Sequence, residues 1–152
     1  MRIRILCIGR MKEGAERALV DDYLARAQKA GKALGYRAVE EVELNSSTKE
    51  DEGKRLLTRH GAGVLVRLDE RGESWTSLEL SKRLAKWRDA GEDAVSFVIG
   101  GADGTSGDVA KAARHTMSFG VQTWPHRLVR VMIAEQSYRA LSIEAGSPYH
   151  RE

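Results

Sequence analysis

Residues 94–104 read AVSFVIGGADG, and this stretch decides the fold. Ala94–Ile99 is almost unbroken in apolar character and stops at two glycines. A short run of this kind is what a strand covered on both faces looks like, and such strands lie inside parallel sheets. The segments before it fit that frame. Met1–Ile8 (MRIRILCI) alternates Ile3, Ile5 and Cys7 with Arg2, Arg4 and Leu6, which predicts a strand whose far face is partly covered. Tyr36–Leu44 and Gly63–Leu68 predict two more strands. Residues 12–34 follow a helical period, with Leu19, Tyr23 and Ala27 on one stripe and Val20 and Leu24 beside it. Ser47 with Glu50, and Thr76 with Glu79, match capping boxes. The first opens a helix ending near His60–Gly61; the second opens one lined by Leu80, Leu84 and Trp87. Strand and helix thus alternate, and the expected fold is an α/β three-layer sandwich on a mostly parallel sheet, one domain over residues 1–152.

After the glycine loop the rhythm changes. A weak helix is expected at about Ser106–Ala113 and a short strand at His115–Phe119. A long helix follows, with Pro125 as its first residue, running to about Glu144. Its first half, Leu128–Ala134 (LVRVMIA), is apolar on almost every side, which calls for a second partner besides its own sheet; a homodimer is expected. Arg130 within that stretch needs a paired acid or a polyanion.

With 152 residues, 41% apolar and 31% charged, and only two prolines, the chain is not of the disordered class. A lone cysteine, Cys7, excludes a disulfide scaffold. No apolar run approaches the ~20 residues that cross a bilayer, and the apolar N-terminal run is too short for a signal peptide, so a cytoplasmic location without membrane contact is expected. Net charge is +5 over residues 1–37, −4 over 38–104 and +2 over 105–152. The two basic ends can share one positive surface for a polyanion, or be ordinary solvated faces.

Three segments can carry chemistry. Gly100–Gly104 lets backbone approach a ligand at a strand's carboxyl end, yet its spacing is neither the dinucleotide fingerprint nor a Walker loop, and the phosphate-loop lysine is absent. Asp103 is either a site acid or a turn residue, with the turn preferred. Trp124-Pro125-His126 opens a helix with free backbone N–H groups, where His126 is either structural or functional. The tail, Ser147–Glu152, sets Tyr149, His150 and Arg151 behind Pro148; it either frays with few core contacts or stacks on a base and holds phosphate. The four histidines have no metal-ligand spacing, no GxSxG elbow is present, and Cys7 reads as an inert core thiol, so no metal site is expected.

Read together, FVIGGADG (97–104), SFGVQTWPHRLVRVMIAEQSYRA (118–140) and GSPYHRE (146–152), with the VxLDxxG segment at Val66–Gly72, resemble one family over the whole chain. It is that of the bacterial 23S rRNA pseudouridine N3-methyltransferases, small members of the SPOUT methyltransferases. The resemblance implies a C-terminal deep trefoil knot and S-adenosyl-L-methionine as cofactor. Cofactor contacts are implied at Leu68, Gly100 and Gly101, and along Gly120, Val121, Gln122, Thr123, Trp124 and Pro125. A Cβ at Gly101 is expected to intrude on the methyl donor. The resemblance also implies a homodimer with the site at the subunit interface, acting on pseudouridine 1915 of 23S rRNA in the assembled 70S ribosome. His150 and Tyr149 are then the groups available to an incoming base, with Arg151 for negative charge or phosphate; which group takes the N3 proton stays open, water included. The chain departs from the common family pattern at Ala102, Asp103, Gly120, Gln122 and Trp124, which bears on packing around the adenine rather than on backbone contacts.

Overall fold

The computed structural model describes residues 1–151; the final residue of the expected tail, Glu152, lies outside the described residues. Ten elements alternate along the chain: β1 (Arg2–Ile8), α1 (Ala15–Ala33), β2 (Ala38–Leu44), α2 (Lys49–His60), β3 (Val64–Ser74), α3 (Ser77–Asp89), β4 (Ala94–Ile99), α4 (Gly107–Ala112), β5 (His115–Ser118) and α5 (His126–Glu144). The five strands form one sheet in the order β2-β1-β4-β3-β5, and every pairing is parallel. All six residues of β4 are buried, as its composition requires.

Alternation along the strands sorts side chains between two layers. Ile3, Ile5, Cys7, Val66, Val95, Phe97 and Ile99 face Val20 of α1, Leu80, Leu84 and Trp87 of α3, and Ile133 and Leu141 of α5. Leu6, Leu65 and Val98 face the other way, onto Leu56 of α2 and Val109 of α4. The three-layer α/β sandwich is therefore present.

Local details differ from expectation in four places. Thr48, not Ser47, caps α2, accepting from the Asp51 N–H at 3.3 Å, while the Ser47 N–H donates to buried Glu52 at 3.0 Å. The second capping box, Thr76 with Glu79, forms as expected. Pro125 is the cap of α5 rather than its first residue, because its ψ of 139° is still extended. The buried stripe of α1 runs through Val20, Ala27 and Gly31, with Leu24 partly buried beside it, and leaves Leu19 45% exposed. Finally, β3 continues past Leu68 to Ser74: Leu68 and Glu73 both pair with Met117, so Asp69–Gly72 bulges out of the sheet.

Buried Arg130 finds its acids on another element. Its guanidinium donates to Glu43 at 2.6 Å, to Glu41 at 3.2 Å and to the Gly9 carbonyl at 3.1 Å, and Arg17 of α1 donates to Glu41 at 2.5 Å. Burial pushes the Glu43 carboxyl up, but the Met11 N–H, Arg130 and Arg17 outweigh it and hold the group below its ordinary value. Glu43 therefore adds stability at pH values above that ordinary value of 4.5, and the contribution is lost as pH falls through the lower folded value. Arg130→Met, which strands two carboxylates on one remaining arginine, should cost about 3 kcal/mol at pH 7. Urea melts from pH 3 to 7 should show that cost shrinking toward the acid end.

Candidate active site

In a parallel sheet all strands deliver their loops to one edge, and here the loops after β3, β4 and β5 meet. The β4 loop is folded hard on itself. Gly104 N–H donates to the Gly101 carbonyl at 3.0 Å, and a Cβ on Gly100 would lie 2.5 Å from the Gly104 carbonyl carbon. Only glycine fits at 100. The β3 bulge supplies Asp69, Glu70 and Arg71, and the β5 loop is pinned to it, Thr123 Oγ1 donating to the Glu70 carboxylate at 2.7 Å.

These loops and the first turn of α5 enclose a cleft of about 250 Å³. Its walls are apolar at Leu68, Ile99, Met117, Phe119 and Val129, and its rim carries Asp69, Arg71, Thr105 and His126. Asp69 is pushed up by burial, but the Arg71 backbone and side chain, with Arg67, hold it well below the usual carboxylate range. The cleft thus joins apolar wall residues to charged and polar ones, a lining suited to a heteroaromatic group carrying a polar tail.

Of the residues expected at a cofactor, the structure brings Leu68, Gly100, Gln122, Thr123 and Trp124 to the lining. Gly101, Gly120, Val121 and Pro125 are not on it, and Val121 is 92% exposed. Within the chain, a Cβ at Gly101 would meet the Glu52 carboxylate at 2.8 Å. Asp103 is exposed and off the lining, as a turn residue should be. Sequence reasoning gave no role to Asp69, Glu70, Arg71 or Thr105; the only signal was the VxLDxxG segment, whose bulge no periodicity reveals.

Tyr149 and His150 of the tail are tied down rather than frayed. Tyr149 packs on Tyr138 with ring centroids 4.6 Å apart, its hydroxyl donates to Glu135 at 3.0 Å, and the Arg139 guanidinium lies over its ring. Arg139 also reaches His150 Nδ1 at 3.3 Å, while Arg151 is exposed. Burial, then hydrogen bonds with Tyr23 and Glu135, push the Tyr149 hydroxyl upward, so it stays protonated near neutral pH. None of the three tail residues lines the cleft. Glu135 stands nine residues beyond His126 on α5, about 14 Å along the helix.

The other histidines lie elsewhere: His60 Nδ1 is 2.9 Å from Ser96 Oγ, and His115 packs against Trp75 and Trp87. Among the described residues, no three His, Cys, Asp or Glu side chains gather as a metal site, and no helix is long and apolar enough to cross a membrane.

A family model described as "Predicted SPOUT methyltransferase" matches residues 1–150. This chain belongs to the SPOUT methyltransferase family. Relatives named "Ribosomal RNA large subunit methyltransferase H" include one from Hyphomonas neptunium, 53% identical over 99% of both chains. Another, from a Chelativorans species, is 47% identical over all of this chain and 92% of its own. A solved probable methylase family protein from Haemophilus influenzae shares the fold, with a TM-score of 0.53 at 8% identity over 99% of this chain and 70% of its own.

In this SPOUT chain the two neighbouring glycines should separate by experiment. Gly100→Ala drives a Cβ into backbone and should destabilise by about 2 kcal/mol or more, whereas Gly101→Ala meets only the end of a side chain and should cost less. Adding Glu52→Ala should remove much of the Gly101→Ala penalty and none of that at Gly100, read as thermal melts in a double-mutant cycle.

Proposed function

We propose that this chain transfers a methyl group from S-adenosylmethionine to N3 of pseudouridine 1915 in 23S rRNA of the assembled 70S ribosome, as a cytoplasmic homodimer. The observation that carries the reading is the cleft, in a chain whose close relatives are named ribosomal RNA large subunit methyltransferase H. Its residues fit the cofactor. Leu68, Ile99, Met117 and Phe119 offer apolar faces to an adenine, and the glycine loop offers backbone that no side chain screens. When bound, S-adenosylmethionine supplies an already activated methyl group, so the protein's task is position and electrostatics.

The reading takes residues 1–152 as one unit with a knotted C-terminal part. The path of the chain supports it: β5 lies at the sheet's edge beyond β3, and α5 then returns to pack on α1, β1 and β4. The dimer draws support from α5, where Leu128 is 40% exposed beside half-buried Val129, Val131 and Met132. It also accounts for the separation of tail and cleft, since a second copy's tail can reach a cleft that the chain's own tail does not line.

Roles follow from hydrogen bonding. A guanidinium only donates, so in this contact His150 accepts at Nδ1 from Arg139, which leaves Nε2 as the ring's N–H. That leaves an N–H donor at Nε2, suited to stabilising the anionic ring formed when N3 gives its proton to solvent water. Tyr149, protonated and fixed by Glu135, positions the tail. Arg151, exposed, is available to phosphate.

Sedimentation equilibrium at micromolar concentration should give twice 16.9 kDa. Single-turnover methylation of ribosomes lacking the modification, followed by mapping of the methylated base, tests the reaction. His150→Ala should lower the rate by ~10²-fold with donor affinity unchanged, and Arg151→Ala should weaken ribosome binding in a salt-dependent way. Full activity from a chain ending at Pro148 would exclude the tail.

A further inference from the structure

Arg67 is an arginine without enough to hold. It lies on β3 between Val66 and Leu68, opposite Val98, and leaves the sheet on the side of α2 and α4, two residues before the bulge at Asp69–Gly72. Its side chain is only 22% exposed. Its Nε is buried and has no hydrogen-bond partner, and Nη1 has only long contacts, 3.4 Å to Thr105 Oγ1 and 3.7 Å to Asp69 Oδ2. Asp69 spends its other oxygen elsewhere, accepting from the Arg71 N–H at 2.9 Å and the Arg71 guanidinium at 3.3 Å. Arg130 makes the contrast. It too has a lone buried Nε, but its remaining nitrogens donate to two carboxylates and a carbonyl at 2.6–3.2 Å. A guanidinium withdrawn this far from water costs free energy unless an anion satisfies it.

Arg67 stands directly behind the cleft lining rather than on it: both groups that it touches, Thr105 and Asp69, line the cleft. We propose that Arg67 is a carboxylate anchor of this cleft, closing its planar fork on the terminal carboxylate of the aminoacyl chain of S-adenosylmethionine. The inference rests on the reading of the cleft as a methyl-donor site. The donor's amino-acid end is a zwitterion, and the wall beneath it offers a matching pair: Arg67 for the carboxylate and Asp69, held ionised, for the ammonium. Bidentate pairing is the geometry that arginine supplies and lysine does not. An RNA phosphate is the less favoured anion, because the Arg67 side chain is only 22% exposed, whereas Arg71 is 84% exposed and open to a large polyanion.

The test uses two ligands differing only in the carboxylate: S-adenosylmethionine and decarboxylated S-adenosylmethionine, titrated calorimetrically into the full chain. The wild type should prefer the carboxylated ligand by roughly ten- to a hundredfold, the ratio expected of one charge-assisted pair. Arg67→Gln should erase that preference by weakening S-adenosylmethionine alone. Arg67→Lys, which keeps the charge and loses the fork, should retain a fraction of it and guards against loss of fold. A wild type that does not discriminate, or an Arg67→Gln variant that still does, overturns the proposal while leaving the cleft reading intact. If the wild type binds neither ligand, the cleft reading falls and the anchor with it. Unchanged donor affinities with salt-dependent loss of ribosome binding would give Arg67 to RNA phosphate and overturn the proposal as well.

Discussion

Every strand of this sheet runs the same way, and the rest of the molecule follows from that constraint. Parallel strands require crossovers, the crossovers place helices on both faces, and β4, enclosed by β1 and β3, can hold nothing polar larger than Ser96. Because the strands point together, the loops leaving β3, β4 and β5 are neighbours by geometry. The cleft is where three chain segments, remote in sequence, are obliged to turn back. Its walls are continuous with the core: Ile99 and Met117 belong to the packed interior on one side and to the cleft on the other.

A second feature, electrostatic, ties the helices to that frame. Arg130 sits in the apolar first half of α5, and its acids come from β2, at the opposite edge of the sheet from β5. The last helix is thereby registered against the first third of the chain, with Arg17 of α1 sharing the same carboxylates. Such a network adds less to net stability than apolar packing of the same volume; its effect is to make one docking position of α5 far better than its neighbours. The start of α5 forms part of the cleft, so the network also sets where His126 and Val129 stand.

The layers were legible because they depend on period and burial, which residues such as Ile3, Ile5 and Phe97 display directly. The cleft's glycine loop was legible from its place after a buried strand. The parts that stayed hidden depend on pairing between distant segments. The acids of Arg130 are 87 and 89 residues away, and the bulge at Asp69–Gly72 exists because two residues of β3, Leu68 and Glu73, pair with the same residue of β5, Met117. The tail was hidden for a similar reason: Tyr149 looked free until Tyr138, Glu135 and Arg139, one face of one helix, were placed beneath it. The resemblance named segments that meet at the cleft, and it did not name the chain's own contacts there. Gly101 illustrates this, since its neighbour is an acid from α2 that no local motif names.

Cys7 has no role in any of this chemistry, and that gives it a use. It lies wholly buried in β1, next to β4, and its thiol is pushed up to about 12, by burial above all. In the closed molecule it presents neither access nor thiolate to an alkylating reagent. Modification must therefore wait until the centre of the sheet parts, so the labelling rate of this one sulfur counts openings of the whole core. The sequence contains no other cysteine to confuse the signal, and the fold thus carries its own clock for the slowest motion it makes.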